Sequence, residues 1–249
     1  MLLADTVLVD GLAPSPNFGA RRAPLDSIIL HYTGMETAEG ALAWLRNPAS
    51  EVSCHYFIDE DGQITQMVAE SARAWHAGTS NWRGQDDLNS RSIGIEIVNQ
   101  GAIAHFPPYP PQQIASVIKL CRDIIQRHGL RPEAILAHSD VAPARKQDPG
   151  ENFPWHELHA HGVGLWVPAE PFVEGPVLED GHSGSAVLEL QQALIRYGYG
   201  LEASGQFDAA TRAVVTAFQR HFRQARVDGR ADVSTILTLQ ALLGALACA

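Results

Sequence analysis

Two short apolar runs in this chain end in histidine. "DSIILH" delivers His31, "AILAH" delivers His138, and ten residues past the second, in "ARKQDPG", stands Asp148. Two imidazoles and a carboxylate are a donor set that catalytic zinc sites use, with three protein ligands and a fourth position open to water. Spacing alone does not select this triple, because the chain holds 11 histidines. His156, His159 and His161 in "HELHAHG" are more closely spaced, but they lack the i, i+4 histidine pair and acid that a zinc peptidase carries on a helix. The segment around Lys146 and Asp148 also reads as a surface turn, since Asp-Pro-Gly is ordinary turn chemistry.

The flanking pattern must position these groups. Residues 26–31 and 134–137 read as short buried strands, each with a histidine at its C-terminal end. "TAEGALAWLRNP" reads as a helix stopped at Asn47-Pro48, and "VSCHYFIDEDGQITQMV" as a hairpin turning at Asp61-Gly62. In "SIGIEIVN", residues 92–99, Ile93, Ile95 and Ile97 share one strand face, so Gly94, Glu96 and Val98 point the other way. Glu96 then faces either solvent or a site, and the small Gly94 leaves room for an approaching group. "PPQQIASVIKLCRDIIQRHG" is an amphipathic helix with a stripe of Ile114, Val117, Ile118, Cys121 and Ile125, ended by Gly129.

Length and composition bound the rest. With 249 residues, and roughly 100–200 per domain, the chain has room for one good core and a small second domain. A net charge of −10 argues against a nucleic-acid partner, and no apolar run is long enough to span a membrane. Three widely spaced cysteines suggest free thiols in a reducing compartment. The first residues lack the basic start and apolar run of a secretory leader, which points to the cytoplasm unless a leader has been removed. Residues 162–183, rich in Gly and Pro, read as a linker. Beyond it, residues 184–249 carry three helical patterns, the second with Asp208 placed to cap it.

The motifs "SIILHYTG", "VSCHYFIDEDGQITQMV", "AWHAGTSNW", "SIGIEIVN", "AHSDVAPARKQDPG" and "FPW" occur in an order and spacing that resembles a known family. It is that of the zinc-dependent N-acetylmuramoyl-L-alanine amidases related to peptidoglycan recognition proteins and phage T7-type lysozyme. Residues 184–249 resemble the three-helix peptidoglycan-binding domain of cell-wall hydrolases. The resemblance implies an α/β fold, a mixed central β-sheet flanked by helices, followed by a small three-helix domain. It divides the chain into a catalytic domain at 1–161, the linker at 162–183 and a wall-binding domain at 184–249. It also implies Zn2+ held by His31, His138 and Asp148, with Glu96 and Lys146 as catalytic groups, and places Trp75 and His76 in the groove for peptide or sugar. His55 is expected to be structural, Cys54 has no assigned role, and His105 and His128 are expected at the surface or a helix end.

The chemistry this implies suits the residue types. Zinc lowers the pKa of water toward about 7, Glu96 would carry the proton to the leaving amine, and Lys146 would face the oxyanion. The implied reaction is hydrolysis of the amide between N-acetylmuramic acid, or its 1,6-anhydro form, and L-alanine of the stem peptide. Peptidoglycan or a muropeptide is then the partner, and residues 1–165 alone are expected to cleave soluble muropeptides. Two alternatives stand beside it: a muropeptide-binding protein without activity, and a zinc D-Ala-D-Ala carboxypeptidase, whose usual ligand motif is not apparent. The wall-binding domain also makes the periplasm or cell envelope an alternative to the cytoplasm.

Overall fold

In the computed structural model, which describes residues 2–248, the elements follow the sequence pattern closely. The chain runs through β1 (Gly11–Leu12), β2 (Phe18–Ala20), β3 (Ser27–Tyr32), α1 (Ala38–Arg46), β4 (Tyr56–Ile58), β5 (Ile64–Gln66) and β6 (Ala72–Ala74). It continues through α2 (Leu88–Arg91), β7 (Ser92–Ile97), α3 (Pro111–His128), β8 (Ile135–Ala137), α4 (His138–Val141) and α5 (Trp155–Ala160). Three helices close it: α6 (Ser185–Tyr197), α7 (Ala209–Phe222) and α8 (Val233–Cys248). Caps set several ends. The Thr37 hydroxyl accepts from Gly40 N at the start of α1, Gly129 ends α3 in the left-handed region, and Asp208 caps α7 through Thr211 N.

Six strands form a mixed sheet in the order β1-β5-β4-β7-β3-β8, antiparallel only at the β4–β5 hairpin. The central strands are buried on both faces, as parallel strands are. On one face, Ile28, Leu30, Ile93, Ile95 and Ile97 pack with α3 through Ile114, Val117 and Cys121. Ile124 completes that helical stripe; Ile125, which the pattern placed there, is only half-buried, because the helix turns 100° per residue and Ile124 lies nearer the sheet. The opposite face is shared. Ala41 and Leu45 of α1 cover Phe57 and Val98 there, while Ile29 and Leu136 pack against the C-terminal helices. His31 and Glu96 project from the same face between these two covers.

The segment read as a linker is less free than its composition suggests. Val163 and Leu165 are buried, and Trp166 and Val167 pack on the core shared with the C-terminal helices. Chain exposed to solvent begins only at Pro168 and runs to Pro176. Within it, Glu170 is tied to α8 by Thr238 Oγ1 and Ser234 Oγ. Glycine and proline mark the irregular backbone correctly, but they carry no information about the apolar residues beside them.

One buried ion cluster gives the fold a pH dependence. Burial pushes the Glu70 carboxyl upward, but bonds from Arg127, Tyr56 and His128 outweigh it and hold the carboxyl down at about 2. The folded pKa lies below the unfolded one, so the stabilisation is complete above about pH 4.5 and is lost as pH falls toward 2. Glu70→Gln is therefore expected to lower stability by about 2–3 kcal/mol at pH 7. Urea unfolding should show the wild type losing that advantage between pH 4.5 and 2, while the variant changes little from this source.

Candidate metal centre and active site

His31 is next to the last residue of β3, and in the parallel register it lies opposite Glu96 of β7. Neighbours in register project from the same face, so the strand pair sets imidazole and carboxylate side by side. His138 is the first residue of α4, immediately after β8. Asp148 lies in the loop that follows and is pinned by its backbone carbonyl, which accepts from Ser139 N at 3.0 Å. The next carbonyl, of Pro149, accepts from Tyr109 Oη at 2.8 Å.

These placements bring three donor atoms to one point. His31 Nδ1 and His138 Nδ1 are 2.9 Å apart, and Asp148 Oδ2 lies 3.0 Å from the first and 2.8 Å from the second. All three residues are buried. The hydrogen bonds around them assign the protons. Ser92 Oγ–H donates to Leu88 O, which leaves Ser92 Oγ to accept from His76 Nε2–H at 3.3 Å. His76 Nδ1 then accepts from His31 Nε2–H at 3.0 Å, so His31 Nδ1 carries a lone pair. On the other side, His138 Nε2–H donates to Ala77 O at 3.1 Å, which turns its Nδ1 toward the same point. Two imidazole nitrogens and a carboxylate oxygen thus converge within 3.0 Å of one another, the approach that a shared cation requires. The donor set fits a divalent metal held by nitrogen and oxygen, each histidine oriented through its far nitrogen.

The electrostatics agree. Burial, with His138 second, pushes the His31 pKa down to about 4, so the ring is neutral at physiological pH. Burial pushes Asp148 up, but His138 and His31 outweigh it and hold the carboxyl well below the usual range. Burial and then the Asp148 carboxylate push Glu96 upward, against the pull of Lys146. Glu96 Oε2 is buried and has no hydrogen-bond partner among the described residues. These groups open on a cavity of about 430 Å³ whose lining includes Tyr32, Trp44, Glu96, His138, Lys146 and Asp148.

Two stretches of the chain match family models. Residues 21–151 match the family described as N-acetylmuramoyl-L-alanine amidase, and residues 183–239 match a peptidoglycan binding domain. The chain is 38% identical over 231 residues to N-acetylmuramoyl-L-alanine amidase AmiD of Escherichia coli (strain K12), covering 87% of this chain and 81% of that one. The chain belongs to the N-acetylmuramoyl-L-alanine amidase family. Solved structures of the family share its fold. A complex of AmiD from E. coli with the substrate anhydro-N-acetylmuramic acid-L-Ala-D-gamma-Glu-L-Lys superposes with a TM-score of 0.76 at 36% identity, covering 90% of this chain and 91% of that one. AMPDH3 from Pseudomonas aeruginosa gives a TM-score of 0.74 at 32% identity, with 98% of each chain covered.

Within the family fold, the rival histidine cluster does not assemble. His156, His159 and His161 are exposed on and just after α5, and the latter two bond to the carbonyls of Gly164 and Glu157. His55 is buried and structural: its Nδ1 accepts from Gly94 N and its Nε2–H donates to Ala72 O. His128 ends α3 against Glu70, and His105 lies at the end of a short turn. His76 borders the cavity, but its main contact is behind His31, not across the groove. Trp75 is half-buried beside Gly19 and does not line the cavity; Trp44, which the sequence did not single out, does.

Gly94 is small because of His76. A Cβ at this position would stand 2.3 Å from His76 Cγ, an overlap that neither strand backbone nor imidazole can absorb. Gly94→Ala is expected to push His76 off His31 and weaken metal binding by about 10–100-fold, the usual cost of losing a ligand's outer partner. Chelator competition on the purified variant measures it.

Proposed function

We propose that this chain hydrolyses the amide between N-acetylmuramic acid, in its 1,6-anhydro form or in the wall, and the L-alanine that begins the stem peptide, using zinc held by His31, His138 and Asp148. The observation that carries this reading is the convergence of three buried donor atoms beneath a cavity that also presents Glu96 and Lys146. Bound zinc supplies Lewis acidity, which makes water a nucleophile near neutral pH. The protein supplies the rest. Glu96, its Oε2 otherwise unpartnered, takes the proton from the attacking water and returns it to the nitrogen of the leaving L-alanine. Lys146 presents its ammonium to the oxygen of the lactyl carbonyl as negative charge develops there, an effect worth about 3 kcal/mol for a well-placed donor. Trp44 and Tyr32 provide apolar wall for the substrate.

The same reading assigns residues 1–161 to catalysis, 162–183 to the connection and 184–249 to wall binding. AmiD, crystallised with an anhydro-muropeptide, supports the substrate class. The match of residues 183–239 to a peptidoglycan binding domain favours the cell envelope, where intact wall lies, over the cytoplasm expected from the first residues. No helix among the described residues is long and apolar enough to cross a membrane. The test is to give the zinc-loaded protein intact sacculi and 1,6-anhydro-muropeptides in parallel. Release of stem peptide from both supports an envelope enzyme; release from the soluble substrate alone would return the protein to cytoplasmic recycling.

A further inference from the structure

The C-terminal helices do more than lie beside the catalytic domain. Asp140, two residues beyond His138, is fully buried and saturated by donors from both parts of the chain. Its Oδ2 accepts from Ala137 N, which fixes the start of α4, and from His221 Nδ1 of α7, each at 2.8 Å. Its Oδ1 accepts from Tyr199 Oη, just after α6, at 2.8 Å. The His221 ring stacks at 3.7 Å on Trp155, the first residue of α5. The loop carrying Asp148 is gripped from the end of α7 and the turn after it, because Arg220 Nε donates to Glu151 at 3.2 Å and Gln224 Nε2 to Phe153 O at 2.7 Å. Between these holds, Ser139 N bonds Asp148 O and joins α4 to the loop.

A buried carboxylate is a costly way to dock two apolar surfaces, since desolvating it offsets most of what its hydrogen bonds return. What it provides over further leucines is direction. Three bonds to two oxygens permit one orientation of α4, and with it one position of His138. The carbonyl that orients the far nitrogen of His138, Ala77 O, belongs to a segment the bundle also clasps: Arg83 N donates to Gly198 O at 2.7 Å, and Trp82 packs edge-on against Tyr197 and Tyr199.

We infer that Tyr199 and His221 are positioning residues for the metal centre, so that the C-terminal bundle is part of the catalytic apparatus as well as a wall-binding unit. The inference rests on the assignment of His138 and Asp148 as metal ligands. It also speaks against the expectation that residues 1–165 suffice for cleavage, because that fragment would lack Tyr199 and His221 and leave Asp140 without two of its three donors.

The test uses full-length Tyr199→Phe and His221→Phe, which keep a ring in place and remove only the polar bond to Asp140. Leu239→Ala, in the same apolar core but away from Asp140, controls for loss of stability alone. Zinc affinity by chelator competition and the visible spectrum of the Co(II)-substituted protein are read for each, beside its thermal midpoint. The expected result is a 10–100-fold loss of zinc affinity and an altered Co(II) band in both polar variants, with Leu239→Ala destabilised but wild-type in metal binding. Wild-type affinity and spectrum in the polar variants, or an equal loss of affinity in Leu239→Ala, would overturn the positioning role. A wild-type protein that binds neither metal would instead overturn the ligand assignment beneath it.

Discussion

Glu96→Ala is expected to bind zinc as the wild type does and to lose turnover by about 10²–10⁴-fold, the range for removing a general acid–base group. The carboxylate is not one of the three converging donors, so the metal site remains complete without it. What disappears is a cavity-lining acid whose Oε2 has no hydrogen-bond partner among the described residues and whose neighbour in register is His31. Burial and Asp148 raise its pKa, which makes the ionised carboxylate a stronger base toward a proton of water. Metal content by elemental analysis beside steady-state kinetics reads both halves. A variant with wild-type kcat would remove Glu96 from the proton path.

Asp148→Ala is expected to lose both metal and activity. Its Oδ2 lies within 3.0 Å of both histidine nitrogens and is the only anionic donor among the three. Without it, two imidazoles remain, and the donor set no longer matches the three-ligand sites that hold catalytic zinc. Asp148→Asn separates charge from shape, since it keeps the side-chain volume. It should fail to retain zinc through dialysis and show only background turnover. Full zinc retention in either variant would mean that another residue supplies the third ligand.

These two residues also show how far the sequence can be read. The two apolar runs before His31 and His138 were legible as strands, and β3 and β8 are buried as that pattern requires; that the two histidines meet at one point was implied by the motifs and not by their spacing. Glu96 was legible as far as its face, through strict alternation in "SIGIEIVN"; only the register with β3 decided that the face looks into a site. The room predicted beside Gly94 was there, but its occupant was not predictable. His76 comes from an irregular segment 45 residues from His31 in sequence, where no period says which way a side chain points. The same limit hid Asp140, whose partners Tyr199 and His221 are 59 and 81 residues away. In "AHSD" its helix is a single turn, too short to show an amphipathic pattern. Trp75 and Trp44 illustrate the converse, because an aromatic beside a site motif looks more functional in sequence than one on the open side of a helix. The fold placed Trp44 at the cavity, half-exposed, and Trp75 outside it.

The central claim is the identity of the bond that is cut. Mass spectrometry of the products of the zinc-loaded protein acting on an anhydro-muropeptide reads this directly. Two species are expected, the anhydro-muramic acid with its lactyl carboxyl free and the intact stem peptide beginning at L-alanine, both absent from the chelated control. Loss of a terminal D-alanine with the muramyl–alanine bond intact, or substrate recovered unchanged, would contradict it.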